Sequence, residues 1–141
     1  MLLTIDVGNT NITMGVFDGE FLPGMFRMTT KRQRTSDEYG MTICGILEHR
    51  GIDPKLIDAV IIASVVPDIM HSLTSGIIKY LHAAPMIVTP ESDTGIRVST
   101  DNPSRTGPDR IVNAAAGYEI AKGPAIVIDF GTATTYDLIG P

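Results

Sequence analysis

Apolar and polar positions change rhythm along this chain, and each rhythm predicts an element. Leu2 to Val7 is a short apolar run rich in β-formers that stops at Gly8, which predicts a buried strand. From Asn11 the pattern alternates, with Ile12, Met14 and Val16 on one face, and Asp18-Gly19 then supplies a hairpin turn. A third strand is expected from about Phe21 to Met28, where Pro23 and Gly24 make it irregular or place it at a sheet edge. The spacing then becomes helical. Thr35 or Ser36 can cap a helix, Glu38 completes a capping box with Thr35, and Gly40, Ile43, Cys44 and Leu47 recur on one face until Gly51. Asp53-Pro54 starts a short turn or helix. Ala59 to Ala63 is wholly apolar, as in a central parallel strand. Pro67 opens a helix with Ile69, Met70, Leu73, Ile77, Tyr80 and Leu81 on its apolar face. A short strand is expected around Met86 to Val88.

Polar, Pro-rich and Ser/Thr-rich sequence from about Thr89 to Pro108 predicts a long loop, a length that compact domains usually keep for function. A helix from about Asp109 to Ala121 follows, with Ile111, Ala114, Ala115 and Tyr118 on one side. After Gly123-Pro124, the strand Ala125 to Ile128 runs into Asp129-Phe130-Gly131 and a second alternating segment ending near Ile139. Ile5-Asp6-Val7-Gly8 and Ile128-Asp129-Phe130-Gly131 thus head two similar strand-turn-strand units, as if duplicated. This places a domain boundary near Gly123, with residues 1–123 as a first domain and 124–141 as the opening hairpin of a second. Such a hairpin cannot bury its own apolar face.

Composition narrows the classes. The 141 residues are 43% hydrophobic and carry a net charge of −5, which suits a globular domain and argues against nucleic-acid binding. The basic run Lys31, Arg32 and Arg34 is short and reads as a solvated loop. Cys44 is the only cysteine, so one chain holds no disulfide and no Cys-ligated metal site, and its apolar surroundings make it a small core residue. No apolar stretch reaches membrane-spanning length and no signal segment is visible, so a cytoplasmic protein with no membrane association is expected. His49, His71 and His82 lie in helical contexts without metal-like spacing, and read as structural or exposed.

The chemistry sits in the turns. In Asp6-Val7-Gly8-Asn9-Thr10 a strand ends in a carboxylate, a glycine lets the backbone turn tightly, and Asn and Thr add short donors at the tip. Such a tip can approach a phosphate while the carboxylate holds hydrated Mg²⁺. Asp129, Gly131, Thr132, Thr134 and Thr135 repeat the recipe. One copy is ordinary turn chemistry, whereas two copies closing apolar strands point to a phosphate-binding cleft. The Walker and Rossmann glycine patterns are absent. In Gly107-Pro108-Asp109-Arg110, Asp109 could cap a helix and Arg110 pair with a neighbouring acid. Beside phosphate turns, the same pair suits a carboxylate substrate bearing a primary hydroxyl.

The paired turns resemble those of the acetate and sugar kinase, heat-shock chaperone and actin superfamily. Within it, Asp6 to Asn11, Gly107 to Arg110 and Asp129 to Thr135 are similar to the signatures of type III pantothenate kinase, in that order. The resemblance implies an α/β, actin-like ATPase (ribonuclease H-like) fold whose mixed sheet opens with three antiparallel strands and is flanked by helices, followed by the start of a second similar domain. It implies that the chain is the N-terminal portion of a protein about twice as long, inactive by itself, that phosphorylates pantothenate with ATP as a homodimer. It further implies that Asp6, Val7, Gly8, Asn9, Thr10, Asn11, Ile12 and Thr13 form the first phosphate loop, with Asp6 on Mg²⁺ through water. Gly131 and Thr132 would contact ATP, and Asp129 would bind K⁺ or NH₄⁺. Gly107, Pro108, Asp109 and Arg110 would bind pantothenate, with Asp109 as the base and Arg110 on the substrate's polar groups. Many members have a Tyr before Asp-Asn-Pro; here Thr100 precedes Asp101, Asn102 and Pro103, keeping a hydrogen bond but losing a ring. The alternatives are a catalytically silent transcriptional accessory factor on this scaffold, or another small-molecule kinase of the superfamily.

Overall fold

Alternation along the opening strands becomes a ladder of apolar contacts. β1 (Leu2–Val7) pairs antiparallel with β2 (Asn11–Asp18), which sets Leu3 opposite Val16, Ile5 opposite Met14 and Val7 opposite Ile12, all buried. β3 (Phe21–Thr29) extends the ladder on the far side of β2, with Phe26 against Met14 and Met28 against Ile12. β4 (Ala59–Ser64) lies parallel to β1, with Val60 opposite Leu3 and Ile62 opposite Ile5, and the short β5 (Met86–Ile87) follows it. The mixed sheet runs β3-β2-β1-β4-β5, so the strand with Pro23 is an edge strand, one of the two outcomes its sequence allows.

Two helices cover this sheet. α1 (Ser36–His49) begins at the expected capping box: the Thr35 hydroxyl accepts from the Glu38 amide, and the Glu38 carboxylate accepts from the Thr35 amide at 2.7 Å. That amide bond, with a second from the Thr35 hydroxyl at 3.0 Å, holds the Glu38 carboxyl below its ordinary range. Tyr39, Ile43 and Leu47 of α1 enter the core with Leu73, Ile77 and Leu81 of α2 (Met70–Leu81). Each such side chain removed from water contributes about 1.5–3 kcal/mol. The helices meet closely because Gly76 has no side chain: a Cβ there would stand 2.4 Å from the backbone oxygen of Ser36. Pro67 opens a 3₁₀ turn, Pro67–Ile69, rather than the α-helix itself, which starts at Met70.

The structure, a computed structural model, describes residues 1–141 and divides into two compact units, Met1–Ile87 and Val88–Pro141. In the second, the expected long loop contains one 3₁₀ turn, Pro103–Arg105, and leads into α3 (Pro108–Ala121). α3 packs on the antiparallel hairpin of β6 (Ala125–Phe130) and β7 (Thr134–Ile139). Gly117 makes that packing close, since a Cβ there would meet Val127 Cγ2 at 2.4 Å. Val127, Asp137 and Ile139 therefore face the helix, while Ile126, Ile128, Phe130, Tyr136 and Leu138 are exposed on the opposite face. No helix is long and apolar enough to cross a membrane.

Candidate functional site

In the first unit the Asp6 turn is short and pinned from outside. The last strand pair is Val7 with Ile12, and the Gly8 amide donates to the Asn11 carbonyl at 2.9 Å, closing Gly8 to Asn11 into a tight tip. A Cβ on Gly8 would stand 3.2 Å from that carbonyl oxygen, so glycine keeps the closure unstrained. Thr30, just beyond β3, donates its hydroxyl to the Gly8 carbonyl at 2.7 Å and its amide to the Thr10 carbonyl at 2.9 Å. The Val65 amide, past the end of β4, donates to the Val7 carbonyl at 3.0 Å. Asp6 is exposed at the strand end opposite Thr13, while Asn9 and Thr10 are exposed at the tip. Ile12, the first residue after the turn to pair with β1, has its side chain fully buried in the core.

The Asp129 turn of the second unit has the same plan with one residue fewer. Phe130 pairs with Thr134, and the Gly131 amide donates to the Ala133 carbonyl at 3.1 Å. Asp129 lies opposite Thr135 and is exposed. Its Oδ2 is 3.5 Å from Nδ2 of Asn113, a residue of α3 one helical turn beyond Asp109. Gly131 flanks the carboxylate, and a Cβ there would come 3.9 Å from Oδ1.

The substrate residues expected from sequence converge on the start of α3. Gly107, not Asp109, is the N-cap, and it supplies no side-chain bond. Pro108 occupies the first helical position, and Asp109 accepts the Arg110 amide at 2.9 Å. Asp109 is partly buried within the first turn, where the unpaired amides favour a carboxylate. Thr100 and Arg110 line one concave pocket of about 720 Å³ with Ile96, Arg97, Thr106 and Asp137. Thr100 and Thr106 bring their hydroxyls to 3.3 Å of each other. Gly107, Pro108 and Asp109 do not line this pocket. Arg110 pairs with Asp137, a partner 27 residues away that sequence reasoning did not name.

Other reactive groups stand apart. Cys44 packs against the core of the first unit, and burial pushes its thiol up, so it is no activated nucleophile. His49, His71 and His82 are exposed, and His82 caps α2 in the left-handed region.

A family model described as type III pantothenate kinase matches residues 2–141. The chain belongs to the type III pantothenate kinase family. A type III pantothenate kinase of Agathobacter rectalis is 56% identical over 99% of this chain and 54% of its own length. Those of Halalkalibacterium halodurans and Myxococcus xanthus are 50% and 46% identical, over 99% and 100% of this chain and 55% of their own lengths. The chain thus spans about half the length of the curated relatives it matches. Among solved structures, a candidate N-acetylglucosamine kinase from Porphyromonas gingivalis superposes with a TM-score of 0.54 at 17% identity, covering 99% of this chain and 44% of that one. That likeness concerns the fold alone, and bears out the α/β architecture with its mixed sheet and flanking helices.

Asn113, Thr30 and Asp137 are the residues the sequence reading missed. Asn113 had a signal in its i+4 spacing from Asp109. Asp137 had one too, as an acid at a helix-facing position of an alternating strand. Thr30 had none.

Proposed function

We propose that the full-length protein transfers the γ-phosphoryl group of ATP to the primary hydroxyl of pantothenate, giving ADP and 4′-phosphopantothenate, the first step toward coenzyme A. The observation that carries this reading is the family match across residues 2–141, with all three expected motifs intact. In this reading Asp6 to Thr13 form a phosphate loop, and Gly131 and Thr132 contact ATP. Arg110 and Thr100 hold the acceptor, and Asp109 takes the hydroxyl proton as the oxygen–phosphorus bond forms and ADP leaves. Positioning and charge neutralisation make up most of such a reaction.

The cations implied by the family fit the residues. Mg²⁺ bound at a nucleotide needs few carboxylates because phosphates and water complete its shell, and Asp6 is a single exposed carboxylate at a turn rich in donors. Asp129 is likewise exposed, with only the long Asn113 contact on Oδ2, which suits a weakly held K⁺ or NH₄⁺. When bound, these ions offset phosphate charge. We also propose that residues 124–141 open a second domain after a first ending near Gly123, that the protein works as a homodimer in the cytoplasm, and that residues 1–141 alone lack activity.

The test is ATP consumption by the purified full-length protein with pantothenate, other hydroxy acids and sugars, with the product weighed by mass spectrometry. Pantothenate-dependent 4′-phosphopantothenate is expected. Turnover only with a different acceptor, or none with any, would overturn the reading.

A further inference from the structure

Arg110 is held more firmly than a surface arginine needs to be. Its Nε donates to Asp137 Oδ1 at 2.7 Å, its Nη2 lies 2.5 Å from the same oxygen, and Nη2 also donates to the Tyr136 carbonyl at 3.2 Å. One edge of the guanidinium is therefore fixed against β7, in the plane that a fork of donors requires. The donors on Nη1 are left without a protein partner. The Arg110 side chain is 40% exposed, whereas that of Asp137 is 11% exposed.

Asp137 itself is poorly satisfied for a residue that only stabilises. Its Oδ2 is buried and has no hydrogen-bond partner. A largely buried carboxylate with one oxygen unpaired costs desolvation that a single ion pair hardly returns, so stability alone is a weak reason for its presence. Position explains it better. Asp137 sits opposite Val127 on the helix-facing side of the hairpin, and it lines the same pocket as Arg110, Arg97 and Thr100.

We infer that Asp137 is a positioning residue, which fixes the guanidinium of Arg110 so that its free Nη1 end meets the polar end of the substrate in the pocket lined by Thr100 and Arg110. This inference rests on the proposed pantothenate reading. A guanidinium released from Asp137 remains a cation, but it samples several directions, and misplacement by about 1 Å can lower the rate about a hundredfold. The cost should appear in recognition of pantothenate and not in recognition of ATP.

The experiment compares unsubstituted full-length protein with Asp137→Asn, Arg110→Ala and the double variant, measuring KM for pantothenate, KM for ATP and Tm. Asp137→Asn is expected to raise KM for pantothenate by about tenfold or more while KM for ATP stays within about twofold, the smaller part of the penalty allowed by misplacement. In the Arg110→Ala background the same change should add nothing to KM for pantothenate. A lowered Tm with an unchanged pantothenate KM would assign Asp137 a purely structural role and overturn the inference. If Asp137→Asn does not fold, Asp137→Glu keeps the charge and moves it by one methylene; a raised pantothenate KM supports positioning, and an unchanged one overturns it. Absence of pantothenate turnover in the unsubstituted protein would instead overturn the proposed function, and this inference with it.

Discussion

The two Asp-Xaa-Gly hairpins share a plan and differ in what surrounds them. Asp6 ends a strand that is hydrogen-bonded on both sides, within a five-stranded sheet covered by two helices, and its turn is clamped by Thr30 and Val65. Asp129 ends a strand in a two-stranded sheet, with α3 on one face and exposed Ile126, Ile128, Phe130, Tyr136 and Leu138 on the other. The Asp6 turn leaves Gly8 to Asn11 outside the pairing of β1 with β2, whereas the Asp129 turn leaves only Gly131 to Ala133 outside that of β6 with β7. One sequence recipe therefore gives two turns of similar plan, the first held by hydrogen bonds from Thr30 and Val65 and the second beside Asn113 of α3. The motif writes the turn, while the elements packed around it decide which of its groups are held.

The largest expected effect tests where the chemistry lies relative to these turns. If the hairpins serve phosphates and α3 serves the acceptor, Asp109→Asn in the full-length protein should lower kcat by about a hundredfold or more, within the range for a lost general base. KM for ATP should hold. Asn keeps the size of the side chain, so near-normal kcat would reduce Asp109 to a first-turn residue of α3.

Packing is the next contrast. Leu3 is fully buried and Leu138 is 82% exposed. Leu3→Ala should cost about 2–5 kcal/mol of unfolding free energy, and Leu138→Ala in residues 1–141 no more than about 0.5 kcal/mol. Denaturant melts of both variants read the difference directly; similar losses would mean that the open face of the hairpin is covered in solution.

Cations sharpen the comparison further. If the two aspartates take different ions, replacing Na⁺ by K⁺ should raise activity of the full-length protein, and Asp129→Asn should abolish that response. Asp6→Asn should instead shift the Mg²⁺ concentration that supports half-maximal rate. Indifference of the enzyme to K⁺, NH₄⁺ and Na⁺ would count against the assignment.

The smallest effects lie at the helix starts. α1 has a full capping box and α3 has Gly107 without a side-chain cap. Thr35→Ala should cost about 1 kcal/mol, whereas Gly107→Ser should gain only a few tenths, about the difference between these caps. The Glu38 carboxyl is depressed by its bonds to the Thr35 amide and hydroxyl. Its contribution is therefore present above the ordinary pKa of 4.5 and is lost as pH falls through the lower folded value. Thermal melts of wild type and Glu38→Gln should converge toward that acid range, and a constant gap between them would contradict the linkage.

Much of this protein was legible in its sequence. The order of strands and helices, the edge position of β3, the capping box at Thr35 and the paired Asp-Xaa-Gly turns all follow from local periodicity and turn chemistry, which act over a few residues. The start of α3 was read to within one residue, but Asp109 as its cap was not borne out, because Gly107 and Asp109 both qualify by type and only backbone conformation chooses between them. What the tertiary structure alone decided are the long-range partners: Asp137 on Arg110, Thr30 on Gly8, Asn113 on Asp129, and the close approach of Gly76 to Ser36. These contacts join residues distant in sequence, so a local pattern can mark Asn113 or Asp137 but cannot name its partner; each contact exists only once the strands and helices have packed and brought the donors within reach of their acceptors.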